Sequence, residues 1–113
     1  MNIIQFTASE VSYNEAIDGE IVQIIFDEDP DQDAFNRKKC YVLISQNHEF
    51  PGKATIEWHD GESDDGGAEI KGFELTNSEF ELQTNAGVIF KVQHHGNSEV
   101  LKKIKSFLQG EFG

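Results

Sequence analysis

The stretch EFELQTNAGVIFKVQHHGNSEVLKKIKSFLQG, residues Glu79–Gly110, changes its period halfway along. Up to Gln93 the apolar residues alternate: Phe80 and Leu82, then Val88, Phe90 and Val92 beyond Asn85-Ala86-Gly87. A period of two marks half-buried β-strands, and a short Asn/Gly link between two such runs marks a hairpin. Hairpin neighbours must bury the same side, so these five side chains should share the core face and leave Glu79, Glu81, Lys91 and Gln93 to water. After His94-His95-Gly96-Asn97 the spacing becomes helical. Val100, Leu101, Ile104, Phe107 and Leu108 form one stripe of an α-helix. Asn97 or Ser98 suits its cap, Glu99 suits the positive end of its dipole, and Gly110 reads as its stop. A helix with a single apolar stripe is unstable alone, so it should lie against a sheet.

Working back toward the N-terminus, AEIKGFELT (68–76) reads as the strand before Glu79, joined to it by Asn77 and Ser78. KATIEWHD (53–60) alternates, with Ala54, Ile56 and Trp58 inward and Thr55, Glu57 and His59 outward. EIVQIIFD (20–27) and CYVLISQ (40–46) are apolar on both sides, the pattern of central or covered strands. NIIQFTA reads as a short first strand. The expected fold class is α+β: a curved antiparallel β-sheet of about five to seven strands packed by a C-terminal α-helix, with residues 1–113 forming a single domain.

Charge is the strongest compositional fact. Of 113 residues, 21 are Asp or Glu and 9 are Lys or Arg, a formal net charge of −12. A polyanion without a basic patch interleaved with aromatics is repelled by phosphates, which argues against direct nucleic-acid binding. Residues 1–36 carry nine acidic side chains and no Lys or Arg, so a basic partner would sense that half first. The one cysteine, Cys40, cannot form an internal disulfide. The N-terminal residues lack a secretory pattern, and no apolar run approaches the ~20 residues of a membrane span. A cytoplasmic protein without membrane association is the expectation.

Two acidic segments carry the functional question. The run DEDPDQD (27–33) places Asp27, Glu28, Asp29, Asp31 and Asp33 directly after an apolar strand. Asp29, Asp31 and Asp33 have the opening spacing of a calcium loop, but Ala34 stands where the sharp turn needs glycine and Cys40 where a bidentate glutamate belongs. Acid–base catalysis needs two carboxylates in contrasting environments, and a solvated acidic turn supplies the opposite. A hydrophilic turn that keeps the protein soluble is the simplest reading of the segment. The remaining reading is a charge decoy. HDGESDDGGAE (59–69) adds Asp60, Glu62, Asp64, Asp65 and Glu69 on a glycine-rich turn, and if the strands before both segments run in the same direction, their fields add at one end of the sheet. The histidines have no ligand spacing and read as surface groups, and Cys40 reads as a small buried group. No phosphate loop or nucleophile elbow occurs. Tyr13, Phe35 and Phe50 sit in loop-like contexts, where aromatics beside acids can anchor a partner.

The run FDEDPDQDAFNRKKCYVLISQ between two early strands, a glycine-containing polar turn, a late meander and a closing helix resemble the bacterial toxin-immunity proteins, in particular the group called immunity protein ten. That resemblance implies a non-catalytic protein that neutralises one cognate toxin, often a nuclease, inside the producing cell. The expected partner-binding residues are Asp27, Glu28, Asp29, Asp31, Asp33, Phe35, Asp60, Glu62, Asp64 and Asp65, with no catalytic group, metal or cofactor. A structural or adaptor module that binds a protein through a sheet edge, or self-associates, is the alternative. A metal-assisted hydrolase using the carboxylates and His94/His95 comes third.

Overall fold

Only Ala8 and Ser9 separate the first two strands, yet those strands occupy opposite edges of one sheet. The structure, a computed structural model, describes residues 2–29, 39–49 and 52–112. Its elements are β1 (Asn2–Thr7), β2 (Glu10–Ala16), β3 (Ile21–Asp27), β4 (Tyr41–Asn47), β5 (Thr55–His59), β6 (Asp64–Leu75), β7 (Glu79–Thr84), β8 (Val88–Gln93) and α1 (Ser98–Phe112). The strand order is β1-β8-β7-β6-β5-β4-β3-β2. Every pair is antiparallel except β1 with β8, which is parallel. The sheet therefore has eight strands and is mixed, which corrects the expectation of five to seven antiparallel ones.

So short a link between the two edges requires the sheet to curl until they meet. Two consecutive amides make the junction: Ala8 N–H donates to the Gln93 carbonyl (2.8 Å) and Ser9 N–H to the Asp27 carbonyl (2.8 Å). β6 turns a second corner. Its first half pairs with β5 and its second with β7, with register shifts at Ile56/Glu57 and Ile70/Gly72, the kind of irregularity that bends a strand.

The curl encloses a core of side chains from strands far apart in the sheet. Phe26 of β3 stacks on Phe80 of β7 at 4.3 Å between ring centroids, and Trp58 of β5 meets Phe90 of β8 edge-on at 5.4 Å. The alternations expected for Ala54, Ile56 and Trp58, and for Phe80, Leu82, Val88, Phe90 and Val92, all point into this core. The helix packs against β2 and β6, burying Leu101, Ile104 and Leu108. Asn97 is its cap, its Oδ1 accepting the N–H of Glu99 (2.8 Å). Gly110 does not end it. The helix runs on to Phe112, and Gly110 lies inside the last turn.

Glu10–Ala16 is a strand that its composition conceals. Its inward-facing Val11 and Tyr13 alternate with Ser12 and Asn14, and as an edge strand it is only half covered. The tight connection from β2 to β3 carries a local cost. Ile17 and Asp18 both sit at φ 53°, in the left-handed region that is unfavourable for a β-branched residue, and Ile17 is 62 % exposed, so no packing compensates.

Two substitutions test these assignments by chemical denaturation. Ile17→Gly relieves the backbone conflict and should raise the unfolding free energy by about 1 kcal/mol. Phe26→Ala removes one half of the central ring stack and should lower it by about 3–5 kcal/mol.

Candidate protein-binding surface

β3 and β5 are each antiparallel to β4, so they run in the same direction. The condition under which the acidic segments sum their fields is met: the segment after Asp27 and the turn after His59 leave the same end of the sheet. Register makes the alignment explicit, because Glu10, Asp27, Tyr41, His59 and Asp64 stand opposite one another across five adjacent strands.

The base of the first segment is closed by its own backbone. Glu28 N–H donates to the Cys40 carbonyl (3.0 Å), and Cys40 N–H returns a bond to Glu28 Oε1 (3.0 Å). Asp27 Oδ1 accepts from Asp29 N–H (3.0 Å), and Ser9 Oγ donates to the Glu28 carbonyl (3.0 Å), tying the segment to the barrel junction. Asp27 is buried and serves this loop base, while Glu28 and Asp29 are half-buried. Asp31, Asp33 and Phe35 lie outside the described residues, as do Phe50 and most of the calcium-like run.

The second segment is shorter than its composition suggests. Only Asp60–Ser63 forms a turn, and Asp64 and Asp65 already belong to β6, both exposed. Asp60 organises the turn: its Oδ1 accepts from Glu62 N–H and Ser63 N–H, each at 2.9 Å. The Ser63 bond, followed by that of Glu62, holds the Asp60 carboxyl below its ordinary range, so this exposed group stays anionic. Behind the turn, His59 is buried with its ring stacked on Tyr41 (6.5 Å) and its Nδ1 accepting Gly61 N–H (3.0 Å). The surface position expected for His59 is therefore corrected. The residue does point outward from the barrel, but its own turn and Tyr41 cover it.

An open groove lies beside the second acidic segment. Residues 2–5 of β1 line one side of it, and Cys40, Asp60, Gly61 and Glu62 line the other. Cys40 is half-buried here, packed against the edge of the core rather than fully enclosed. The β1 wall had no signal in the sequence, because its position depends on the parallel pairing with β8. Lys102, Lys103 and Lys105 are exposed on α1, which packs beside Tyr13 and Glu15 toward the far end of β2, while the exposed Lys39 stands at the base of the first segment. Tyr13 is part of that strand, not of a loop, and its hydroxyl donates to Glu15 Oε1 (2.8 Å). Burial, then this bond and the nearby negative charge, push its phenol up to about 12.

His94 is also no surface group, being 1 % exposed. Its Nδ1 accepts Gly96 N–H (3.0 Å), so its proton sits on Nε2 and is donated to the Thr76 carbonyl (3.1 Å). One ring thus ties the β6–β7 turn to the start of the helix, packed edge-on against Phe26. Its role is architectural. Among the described residues no three His, Cys, Asp or Glu side chains gather as a metal site would require, and no helix is long and apolar enough to cross a membrane.

Comparison with protein-family models, with curated protein sequences and with solved structures finds no match to this chain.

Burial lowers the His94 pKa from its ordinary 6.5. The unfolded chain therefore takes up a proton at this site before the folded one does, and stability falls as pH drops below 6.5 toward the folded value. In His94→Gln this component is absent. Its unfolding free energy should be lower than wild type at neutral pH, and the gap should narrow as pH is lowered from about 7 to about 5, measured by urea denaturation.

Proposed function

We propose that this chain is a non-catalytic binding protein that neutralises a basic partner, a bacterial toxin domain of the nuclease type, by covering it with the acidic end of its barrel. The observation that supports this reading is the common direction of β3 and β5, which sends both acidic segments out of one end. Glu28, Asp29, Asp60, Glu62, Asp64 and Asp65 are at least partly exposed there, with Glu10 beside them. Clustered charge of one sign speeds encounter with an oppositely charged surface and discourages neutral or acidic partners.

The class of partner comes from the resemblance to the immunity proteins, and the cytoplasm of the producing cell is where such a partner would be met. A nuclease domain carries a basic substrate groove, so an acidic cover competes with nucleic acid by occupying the same field. Adaptor binding through a sheet edge is the second reading, favoured by β1, which among the described residues pairs with β8 alone.

The deciding experiment reverses Glu62, Asp64 and Asp65 to lysine and leaves intact Asp60, which holds the turn, and Asp27, which holds the loop base. The partner is recovered from the native cell by pull-down at low and high salt, and its association with wild type and variant is then timed. Association should slow by about tenfold or more at low salt and lose most of its salt dependence, with an unchanged circular dichroism spectrum. Unaltered kinetics would reject the role.

A further inference from the structure

We propose that α1 is an acid-released lid: protonation of His94 unlatches the helix from the barrel and uncovers the apolar faces beneath it, while the eight strands stay paired.

His94 fastens together two parts of the chain. Its Nε2–H donates to the Thr76 carbonyl (3.1 Å) in the turn between β6 and β7, and its Nδ1 accepts Gly96 N–H (3.0 Å) in the link that leads into α1. That pair of bonds needs the neutral ring, because a protonated imidazole has no acceptor left for Gly96. The helix rests directly on this latch. A Cβ added at Gly96 would stand 2.8 Å from Leu101 Cδ2 and 3.2 Å from His94 Nδ1, so the ring, the glycine and the first buried leucine of the helix form one close contact. His59 makes the same kind of bond to a glycine two residues on, Gly61 (3.0 Å), but that bond closes the turn after β5 and leads to no helix.

The surroundings oppose a charge on the ring. Phe26 of β3 meets it edge-on at 5.7 Å, and Leu101 packs on Gly96 beside it. Burial holds the pKa below 6.5, outweighing the backbone carbonyls of Glu79 and Thr76, and the neighbouring His95 adds repulsion of like charge. The side chains of Glu79 and His95 are themselves exposed to water. Lifting the helix removes Leu101 and hydrates the ring, which then titrates at its ordinary value. Above 6.5 the latch is therefore at full strength. As pH falls from there toward the latched value, opening becomes easier, by at most about tenfold per pH unit.

Opening can stay local because α1 is the last element and the strand pairings do not run through it. The helix packs against β2 and β6 through Leu101, Ile104 and Leu108, with Val100 and Phe107 partly covered. Its release turns this stripe to water together with Val11 and Tyr13 of β2, an apolar surface that the neutral form keeps covered. The device needs no partner, so it stands or falls apart from the acidic end.

Hydrogen exchange of the full chain, followed from about pH 7.5 to about pH 5 and corrected for intrinsic rates, tests the lid. Protection of Leu101–Leu108 should fall about threefold or more between about pH 7 and about pH 5.5, while β7 and β8 keep theirs. His94→Asn should abolish that fall: an Asn Oδ1 accepts the N–H two residues on at Asn47 (3.0 Å) and at Asn97 (2.8 Å), and it does not titrate. His48 meets Phe107 of the helix at 6.5 Å, and His48→Asn should leave the fall in place. In wild type, imidazole NMR should give His94 a midpoint below 6.5, and the loss of helix protection should continue down to that midpoint.

A helix that keeps its protection, or strands that lose theirs in step with it, would overturn the lid. So would a fall that survives His94→Asn or vanishes with His48→Asn, or a His94 midpoint at or above 6.5. Should His94→Asn not fold, the wild-type midpoint and its agreement with the range of lost protection decide by themselves.

Discussion

Two neighbouring amides, those of Ala8 and Ser9, donate to carbonyls at the ends of β8 and β3. The geometry of the molecule follows from that constraint. A chain that leaves one edge of an eight-stranded sheet and joins the other after two residues cannot belong to an open, gently twisted sheet. It forces the curl that brings Phe26 onto Phe80 and sets β1 across the sheet end from which the acidic segments leave. Neither amide is exceptional as a hydrogen bond, each contributing on the order of 1 kcal/mol. Their importance is positional.

Much of this architecture is legible in the sequence, and what is not has physical causes. The alternation in 54–59 and 79–93, and the stripe from Val100 to Leu108, place their apolar side chains correctly because burial imposes those periods directly. β2 escapes notice because an edge strand needs few apolar residues, and Ser12, Asn14 and Glu15 satisfy its half-solvated position. The parallel pairing of β1 with β8 is non-local, and no local period encodes which distant strand a segment will meet. His59 and His94 look like surface groups because burial of an imidazole depends on backbone partners, Gly61 for one and Gly96 and Thr76 for the other, that only the fold brings together. At the candidate surface, the shared direction of β3 and β5 can be posed as a condition from sequence but requires the strand order to be met. The opposing wall supplied by residues 2–5 cannot be posed at all.

Charge is distributed with a division of labour. Asp60 is engaged by its own turn and Asp27 by the loop base, so the carboxylates with most freedom to meet a partner are those with the least structural duty, Glu62, Asp64 and Asp65. Of the exposed lysines, Lys102, Lys103 and Lys105 ride on the helix, while Lys39 stands at the base of the first acidic segment. The molecule is strongly anionic overall, and clustered charge of one sign draws in an approaching cationic surface before contact.

Closing the sheet with its first strand has a consequence for biosynthesis. β1 is translated before the other seven strands and its sheet neighbour β8 after them, so β1 must wait, unpaired, until the last strand of the sheet is made. Pairings between such distant parts of a chain are intrinsically slow to form and leave apolar strand exposed meanwhile. The dense anionic character of the N-terminal third, with no cation before Arg37, would keep nascent copies on neighbouring ribosomes apart during that interval.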